Sequence, residues 1–268
     1  MKRKPSVAGY FYPGNEHDLL TMVENMVKPE MKKEEAICVV SPHAGFIYSG
    51  PVAGAVFSSV QLPSTFVILG PSHRSISSLA AIMKEGFWET PLGEVSVDAL
   101  LAELIMKHSS LITEDEFAHR DEHSLEVQLP FIQYFKKDIS MVPICFSYEI
   151  SYEKIEQLAK AVSQGIREFK SKVLIVASTD MSHYVNQKIA EKKDFLAIER
   201  VEKLDPKGLY DTVLREDISM CGFQPTTAGL IAAKELGAKK AELIKYQTSG
   251  DASGDYSQVV GYAGIRIS

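Results

Sequence analysis

Histidine recurs just after apolar, strand-like runs of this chain, and imidazole at such positions can bind a metal ion. Three runs share this pattern, at residues 36–40, 65–69 and 173–178. His43 follows the first run, His73 follows the second, and the third leads into Asp180 and His183. In an open parallel α/β sheet the ligand crevice lies outside the carboxyl ends of the strands. We therefore expect these four side chains to gather at one edge of a sheet.

The histidines favour a metal site of the catalytic kind. Neutral imidazoles are common ligands for zinc, copper and iron, and two histidines with one anionic ligand leave coordination positions open for a substrate or oxygen. The alternative for each histidine taken alone is a turn or capping residue. The repetition of the pattern at three strand ends supports the metal site.

Two further candidates, His123 and Glu126, stand three residues apart. On a helix this spacing puts both side chains on one face, where both could reach a single site. The alternative is a solvated helix start, because the surrounding residues 118–126 are largely charged.

Cys221 is a further candidate metal ligand, through its thiolate. It precedes a segment that Pro225 can start as a helix, and a helix N-terminus lowers the pKa of a thiol and favours the metal-binding thiolate. The alternative is a small buried apolar residue, which is the role we expect for Cys38 and Cys145 within strand runs.

Composition excludes several classes of protein. The 268 residues carry a net charge of −6, which opposes a nucleic-acid partner because affinity for phosphate backbones needs clustered Lys and Arg. Three scattered cysteines indicate neither a disulfide framework nor a zinc ribbon and suit the cytoplasm. No apolar run is long enough for a membrane span or a signal-peptide core. Nucleotide-binding glycine loops and the G-x-S-x-G motif are also absent from the sequence.

The alternation of strand and helix patterns predicts an α/β fold with a mixed, largely parallel central sheet flanked by helices. No linker interrupts it, so we expect a single domain over residues 1–268. Strands are predicted at residues 36–40, 65–69, 139–146, 173–178, 241–247 and 257–267, with a short hairpin in 87–95. Helices are predicted at residues 17–27, 51–60, 98–108, 123–135, 152–169, 187–203 and 207–215 and after Cys221.

Several motifs, taken in order, resemble the Memo family (mediator of cell motility). They are VAGYFYPG, SPHAGFIYSG, ILGPSHR, DEHSLEVQLPF, STDMSHY, MCGFQP and a closing GYAG, and they run essentially from end to end. That family is similar in fold to class III extradiol ring-cleavage dioxygenases, which are non-haem iron enzymes. The resemblance implies a metal crevice in this chain.

The resemblance also implies a role for each candidate. His43 and His73 would be metal ligands, and Cys221 would stand where the dioxygenases use glutamate. Asp180 and His183 would line the crevice, with His183 near the position of the dioxygenase base. His123 and Glu126 would complete its polar wall. The resemblance to iron enzymes implies iron first. A thiolate ligand makes the site softer than a carboxylate does and suits Cu(I), Zn(II) or Fe(II), so copper and zinc are alternatives.

Two classes of function stay open. The first is a metal-dependent oxidoreductase of the dioxygenase type, acting on an unknown substrate. The second is a non-enzymatic metal carrier or peptide-binding module that uses the same crevice. In either case we expect a small-molecule or peptide ligand and neither nucleic acid nor membrane. Prokaryotic relatives also suggest a functional link to a radical-SAM protein.

Overall fold

The computed structural model describes residues 2–74, 76 and 78–268, and within these residues one twelve-stranded sheet is flanked by helices. The strands are β1 (Lys2–Arg3), β2 (Cys38–Ser41), β3 (Thr65–Pro71), β4 (Ala80–Ile82), β5 (Phe87–Thr90), β6 (Gly93–Val97), β7 (Ile112–Glu114), β8 (Ser140–Phe146), β9 (Val173–Ser178), β10 (His183–Val185), β11 (Ala241–Thr248) and β12 (Val259–Ile267). The helices are α1 (Glu16–Glu24), α2 (Phe46–Ser58), α3 (Ala99–Lys107), α4 (Phe117–Arg120), α5 (Leu129–Phe135), α6 (Tyr152–Phe169), α7 (Gln187–Glu202), α8 (Pro206–Arg215), α9 (Phe223–Glu235) and α10 (Gly250–Ser253). A 3-10 turn, Glu126–Gln128, precedes α5.

The centre of the sheet is parallel. The order of the strands along the main path is β1-β5-β6-β8-β3-β9-β2-β12-β10, with β11 beside β12 and β4 joining β7 to β8. The neighbours β6, β8, β3, β9 and β2 run parallel, whereas β12 pairs antiparallel with β2. Strands β2, β3 and β9 therefore end at the same edge of the sheet, at Ser41, Pro71 and Ser178.

Alternating side chains on the central strands supply two apolar cores, one on each face. Along β2, Cys38 and Val40 join the core that includes α3, α6, α7, α8 and α9. Val39 joins the core that includes α1, α2 and α5. This alternation follows from the two-residue period of a strand. Both faces are covered by helices, which explains why the central strands are apolar at nearly every position.

Helix α6 shows how one sequence pattern fixes its own packing. Ile155, Leu158, Val162 and Ile166 recur at intervals of three and four residues, so they form one buried stripe. Full burial of a side chain of this size stabilises the fold by about 1.5–3 kcal/mol. The polar face of the helix is left exposed to solvent.

The predicted fold class, a mixed α/β fold with helices on both sides of the sheet, is confirmed. The predicted bounds 152–169 and 173–178 coincide with α6 and β9. Helix α2 begins at Phe46, ahead of the predicted start at Pro51, so this proline lies inside the helix. Of the predicted domain, Met1, Ser75 and Ser77 lie outside the described residues.

Four short strands were not predicted, namely β1, β4, β7 and β10. Each has only two or three residues, too few for a hydrophobic period to be recognised in the sequence. Within the part of the chain that the structure describes, no helix combines the length and the apolar character needed to cross a membrane.

Candidate metal centre

His43 is a buried imidazole at the carboxyl edge of the sheet, between the end of β2 and the start of α2. Its Nδ1 lies 2.9 Å from Ser178 Oγ, and that hydroxyl donates its own proton to the Ser124 carbonyl at 2.6 Å. A hydroxyl has one proton, so Nδ1–H of His43 must be the donor to Ser178. The lone pair of His43 is therefore on Nε2, which is the atom that can bind a metal ion.

His73, in the loop after β3, is held at two points by Glu122. The backbone N–H of His73 donates to Glu122 Oε2 at 2.6 Å, and the ring Nδ1 lies 2.9 Å from Oε1. Because an ionised carboxylate only accepts hydrogen bonds, Nδ1 of His73 carries the proton. This leaves Nε2 of His73 as the metal-binding atom. Ligand histidines are usually fixed in this way by a carboxylate.

His123 completes a cluster of three imidazoles. Its ring stacks on His73, with centroids 4.5 Å apart, and meets His43 edge-on at 5.6 Å. The His43 and His73 centroids are 5.2 Å apart. One ring nitrogen from each histidine lies within 4.8 Å of the other two. Three imidazoles so close together could hold one transition-metal ion.

Burial keeps two of these imidazoles neutral. It lowers the pKa of His43 well below its usual value, and nearby His123 and His73 lower it further. Burial also lowers the pKa of His123 to about 4, against the opposing influence of the Glu122 carboxylate. Burial alone would raise the pKa of Glu122, but the hydrogen bond and charge of His73 bring it below its usual value. Near neutral pH the site therefore combines the lone pairs of His43 and His123 with the Glu122 carboxylate.

Cys221 lies beside the cluster. Its Sγ is 3.2 Å from His43 Nε2 and accepts the backbone N–H of Asp180 at 3.3 Å. Burial and the Asp180 carboxylate raise the pKa of the Cys221 thiol, so the lowering that we predicted from the helix N-terminus is wrong. A bound cation would reverse this, because a coordinating thiol is deprotonated. That Cys221 is a metal ligand stays a prediction.

Gly222 lets Cys221 come this close to the sheet. A Cβ at Gly222 would lie 2.4 Å from the Ser178 carbonyl oxygen and 2.6 Å from Thr179 Cβ. Its backbone N–H also donates to Thr179 Oγ1 at 2.9 Å. The start of α9 can therefore touch the end of β9 only because residue 222 has no side chain.

Asp180 and His183 are held mainly by backbone groups. Asp180 Oδ1 accepts the backbone N–H of His43 at 2.7 Å, and burial raises the pKa of this carboxyl to about 6. His183 Nδ1 lies 2.8 Å from the Ser219 carbonyl oxygen. A carbonyl only accepts, so Nδ1 of His183 carries a proton and donates to Ser219. Catalytic roles for Asp180 and His183 stay predictions.

Glu126 has a different environment from the one we predicted. It is fully buried, pairs with Arg3 Nη1 at 2.7 Å and accepts hydrogen bonds from the arm at Ser6, Val7 and Tyr12. Its carboxylate thus fixes the N-terminal arm, and the carboxylate that meets a site imidazole is Glu122. The prediction that His123 and Glu126 share one face of a helix does not apply, because Glu126 begins a 3-10 turn and His123 precedes it.

Sequence reasoning missed Glu122, although a signal was present. Glu122 is adjacent to His123 in the sequence, and ligand histidines commonly have a carboxylate partner. Asp121, Glu122 and Glu126 were all available, and only Glu122 meets His73. Arg3 supports the segment that contains Glu122. Its Nη2 donates to the Glu122 carbonyl and its Nε donates to the His119 carbonyl, both at 2.6 Å.

Comparisons with known proteins agree with this architecture. A family model described as Memo-like protein matches residues 3–266. Curated proteins called MEMO1 family protein are 42% identical over 98% of both chains in Pyrobaculum arsenaticum, and 41% identical over 99% of this chain and 98% of the relative in Methanopyrus kandleri. The crystal structure of uncharacterized protein JW3007 from Escherichia coli K12 has a TM-score of 0.56 at 12% identity and covers 84% of this chain and 98% of that one. This structure supports the fold alone.

Proposed function

The chain belongs to the Memo family, and on that premise we propose that it binds one transition-metal ion through His43, His73 and His123 and uses it as an oxidoreductase. The supporting observation is the convergence of three imidazole nitrogens within 4.8 Å of one another. When bound, such an ion would act as a Lewis acid or a redox centre. Iron is the metal we expect first, with copper or zinc as alternatives.

The surrounding residues would orient the metal ligands and exchange protons with a bound substrate. Glu122 orients His73, and Ser178 orients His43, so that each ring offers Nε2 to the ion. His183, with its proton fixed on Nδ1, offers Nε2 as an acid or base for a bound molecule. Asp180, with a pKa of about 6, exchanges its proton close to neutral pH.

A metal carrier or peptide-binding module is the second candidate. It is favoured by the Cys221 thiol, which lies 3.2 Å from His43 Nε2. Oxygen chemistry beside such a thiol risks oxidising it, whereas a carrier of a soft ion would gain a soft ligand. Free Cys38, Cys145 and Cys221 are consistent with the cytoplasm as the proposed location.

Anaerobic purification with elemental analysis, followed by titration with Fe(II), Cu(I) and Zn(II), tests the metal site. We expect one ion per chain in the wild type. Alanine at His43, His73 or His123 should weaken binding by more than the ~10- to 100-fold typical of residues behind the ligands. The matched control is His17→Ala, which removes an exposed imidazole from α1. No stoichiometric binding by the wild type would contradict the proposal.

Oxygen uptake by the metal-loaded protein, measured with a reductant, separates the two candidates. Uptake that disappears in the His73→Ala variant supports the oxidoreductase. Stoichiometric metal binding with no uptake above that of the free metal ion supports the carrier.

A further inference from the structure

A cleft of about 620 Å³ opens beside the candidate metal centre. The N-terminal arm forms one wall, which includes Lys4 and Phe11. The other wall includes Arg74, which follows His73, and Arg120, Asp121 and His123 at and after the end of α4. Small-molecule sites usually have volumes of about 300–1,000 Å³, so the cleft has room for a small organic molecule.

The cleft collects positive charge on a protein whose net charge is −6. Two of its cations are already neutralised, because Lys2 pairs with Glu89 and Glu94, and Arg3 pairs with Glu126. These two cations therefore add little to the field that a ligand would meet.

The remaining cations are the ones available to a ligand. Among residues 2–74, 76 and 78–268, no carboxylate lies within ion-pair distance of Lys4 or Arg74. Arg120 has one acidic neighbour, Asp121, at 3.6 Å, and both side chains are exposed. A guanidinium with free N–H groups can bind a carboxylate or phosphate by two parallel hydrogen bonds.

The cleft and the metal centre share a wall. His123 lines the cleft and also belongs to the imidazole cluster, and Arg74 directly follows His73 in the chain. The Phe11 ring also lines the cleft and meets His123 edge-on with centroids 4.9 Å apart, so it offers an apolar surface beside the cluster. A ligand with an anionic group and a flat apolar body fits this combination of cations and an aromatic ring.

We propose that this cleft binds a small aromatic or other flat organic anion through Lys4 and Arg74, and that this anion is the substrate of the metal centre. The second part rests on the proposed function. The anionic group is a carboxylate or a phosphate, and both have the oxyanion geometry that Arg74 would recognise.

Calorimetric titration with benzoate, phenylphosphonate and neutral benzamide tests the binding site itself. We expect benzoate or phenylphosphonate to bind the wild type and benzamide to bind at least tenfold more weakly. Tighter binding of benzoate would identify a carboxylate substrate, and tighter binding of phenylphosphonate a phosphorylated one. Equal binding of benzamide, or no binding of either anion, would overturn the proposal.

The variant Lys4→Gln/Arg74→Gln should bind the preferred anion at least tenfold more weakly. Its matched control is Lys32→Gln/Lys172→Gln, which removes the same charge from exposed lysines near the opposite edge of the sheet. Unfolding curves of both variants confirm that they fold. Equal losses in the two double variants would mean that the effect comes from net charge, and would overturn the site.

The link to the metal centre has its own measurement. Co(II)-loaded protein should change its visible absorption spectrum on addition of the preferred anion, and the Lys4→Gln/Arg74→Gln variant should take up Co(II) normally and need at least tenfold more anion. Failure of the wild type to take up Co(II) would count against the proposed function and leave the anion titration intact. Anion binding with an unchanged Co(II) spectrum would overturn the assignment as a substrate.

Discussion

Glu122 holds His73 of the candidate metal centre at two points. The two oxygens of Glu122 take the backbone N–H and the ring Nδ1 of His73 at 2.6 and 2.9 Å. One carboxylate thus fixes both the position of the loop and the tautomer of the ring.

Glu122→Gln should weaken metal binding by about 10- to 100-fold, the usual effect of losing the partner of a ligand histidine. The neutral amide has the same shape but can donate to Nδ1 and so favour the wrong tautomer of His73. Titration with Zn(II) measures the change. Glu126→Gln is the matched control and should leave the Zn(II) affinity within a few-fold of the wild type. Equal losses in both variants would contradict the special role of Glu122.

The buried pair of Arg3 and Glu126 should matter for stability. Arg3→Met leaves an unpaired buried carboxylate and removes the contact of the guanidinium with the Trp88 ring at 4.0 Å. Breaking such a pair costs about 3–5 kcal/mol of unfolding free energy, measured by urea unfolding. Arg3→Met/Glu126→Leu should recover part of this loss, because no charge is then left buried. Lys172→Met, at an exposed pair with Glu35, should change the stability little.

Stability should fall as pH decreases below about 6.5, partly because of His119. Burial and nearby Arg3 lower the pKa of this histidine to about 3, so the unfolded chain binds a proton at a pH where the folded chain does not. Stability then rises with pH between these two values, by at most ~1.4 kcal/mol per pH unit for one group. His119→Gln should reduce this slope between pH 4.5 and 6.5.

Four other groups bear on the same measurement. Burial lowers the pKa values of His43 and His123, so these histidines act in the same direction as His119. Burial raises the pKa values of Asp180 and Asp194, so these carboxyls act in the opposite direction above about pH 4. The comparison of wild type and His119→Gln isolates His119, because both proteins contain all four groups. Urea unfolding at several pH values would contradict the prediction if the two slopes were identical.

Cys221→Ser should reduce affinity for Cu(I) more than affinity for Zn(II), because Cu(I) prefers soft sulfur ligands. Cys38→Ser and Cys145→Ser are the controls: both residues are buried in the sheet, so they should lower stability and leave metal selectivity unchanged. The titrations need anaerobic conditions, since thiol oxidation would imitate the substitution. Equal Cu(I) affinity in wild type and Cys221→Ser would show that the thiol is not a ligand.

Much of the architecture was determined by the sequence itself. Apolar runs such as residues 173–178 and the helical period of residues 152–169 are local patterns, and they predicted β9 and α6 with the observed bounds. The proximity of His43 and His73 could also be predicted from the sequence, since the parallel strands β2 and β3 bring their carboxyl ends to one edge of the sheet. Their ring centroids are 5.2 Å apart.

Tertiary structure decided which polar side chains meet. Glu122 and Glu126 are four residues apart, yet one contacts His73 and the other pairs with Arg3, 123 residues away in the chain. Likewise, the ionisation of Cys221 depends on burial and on Asp180, which outweigh the helix N-terminus. Side-chain direction in a short irregular segment and the degree of burial depend on long-range packing, so the local sequence could not specify them.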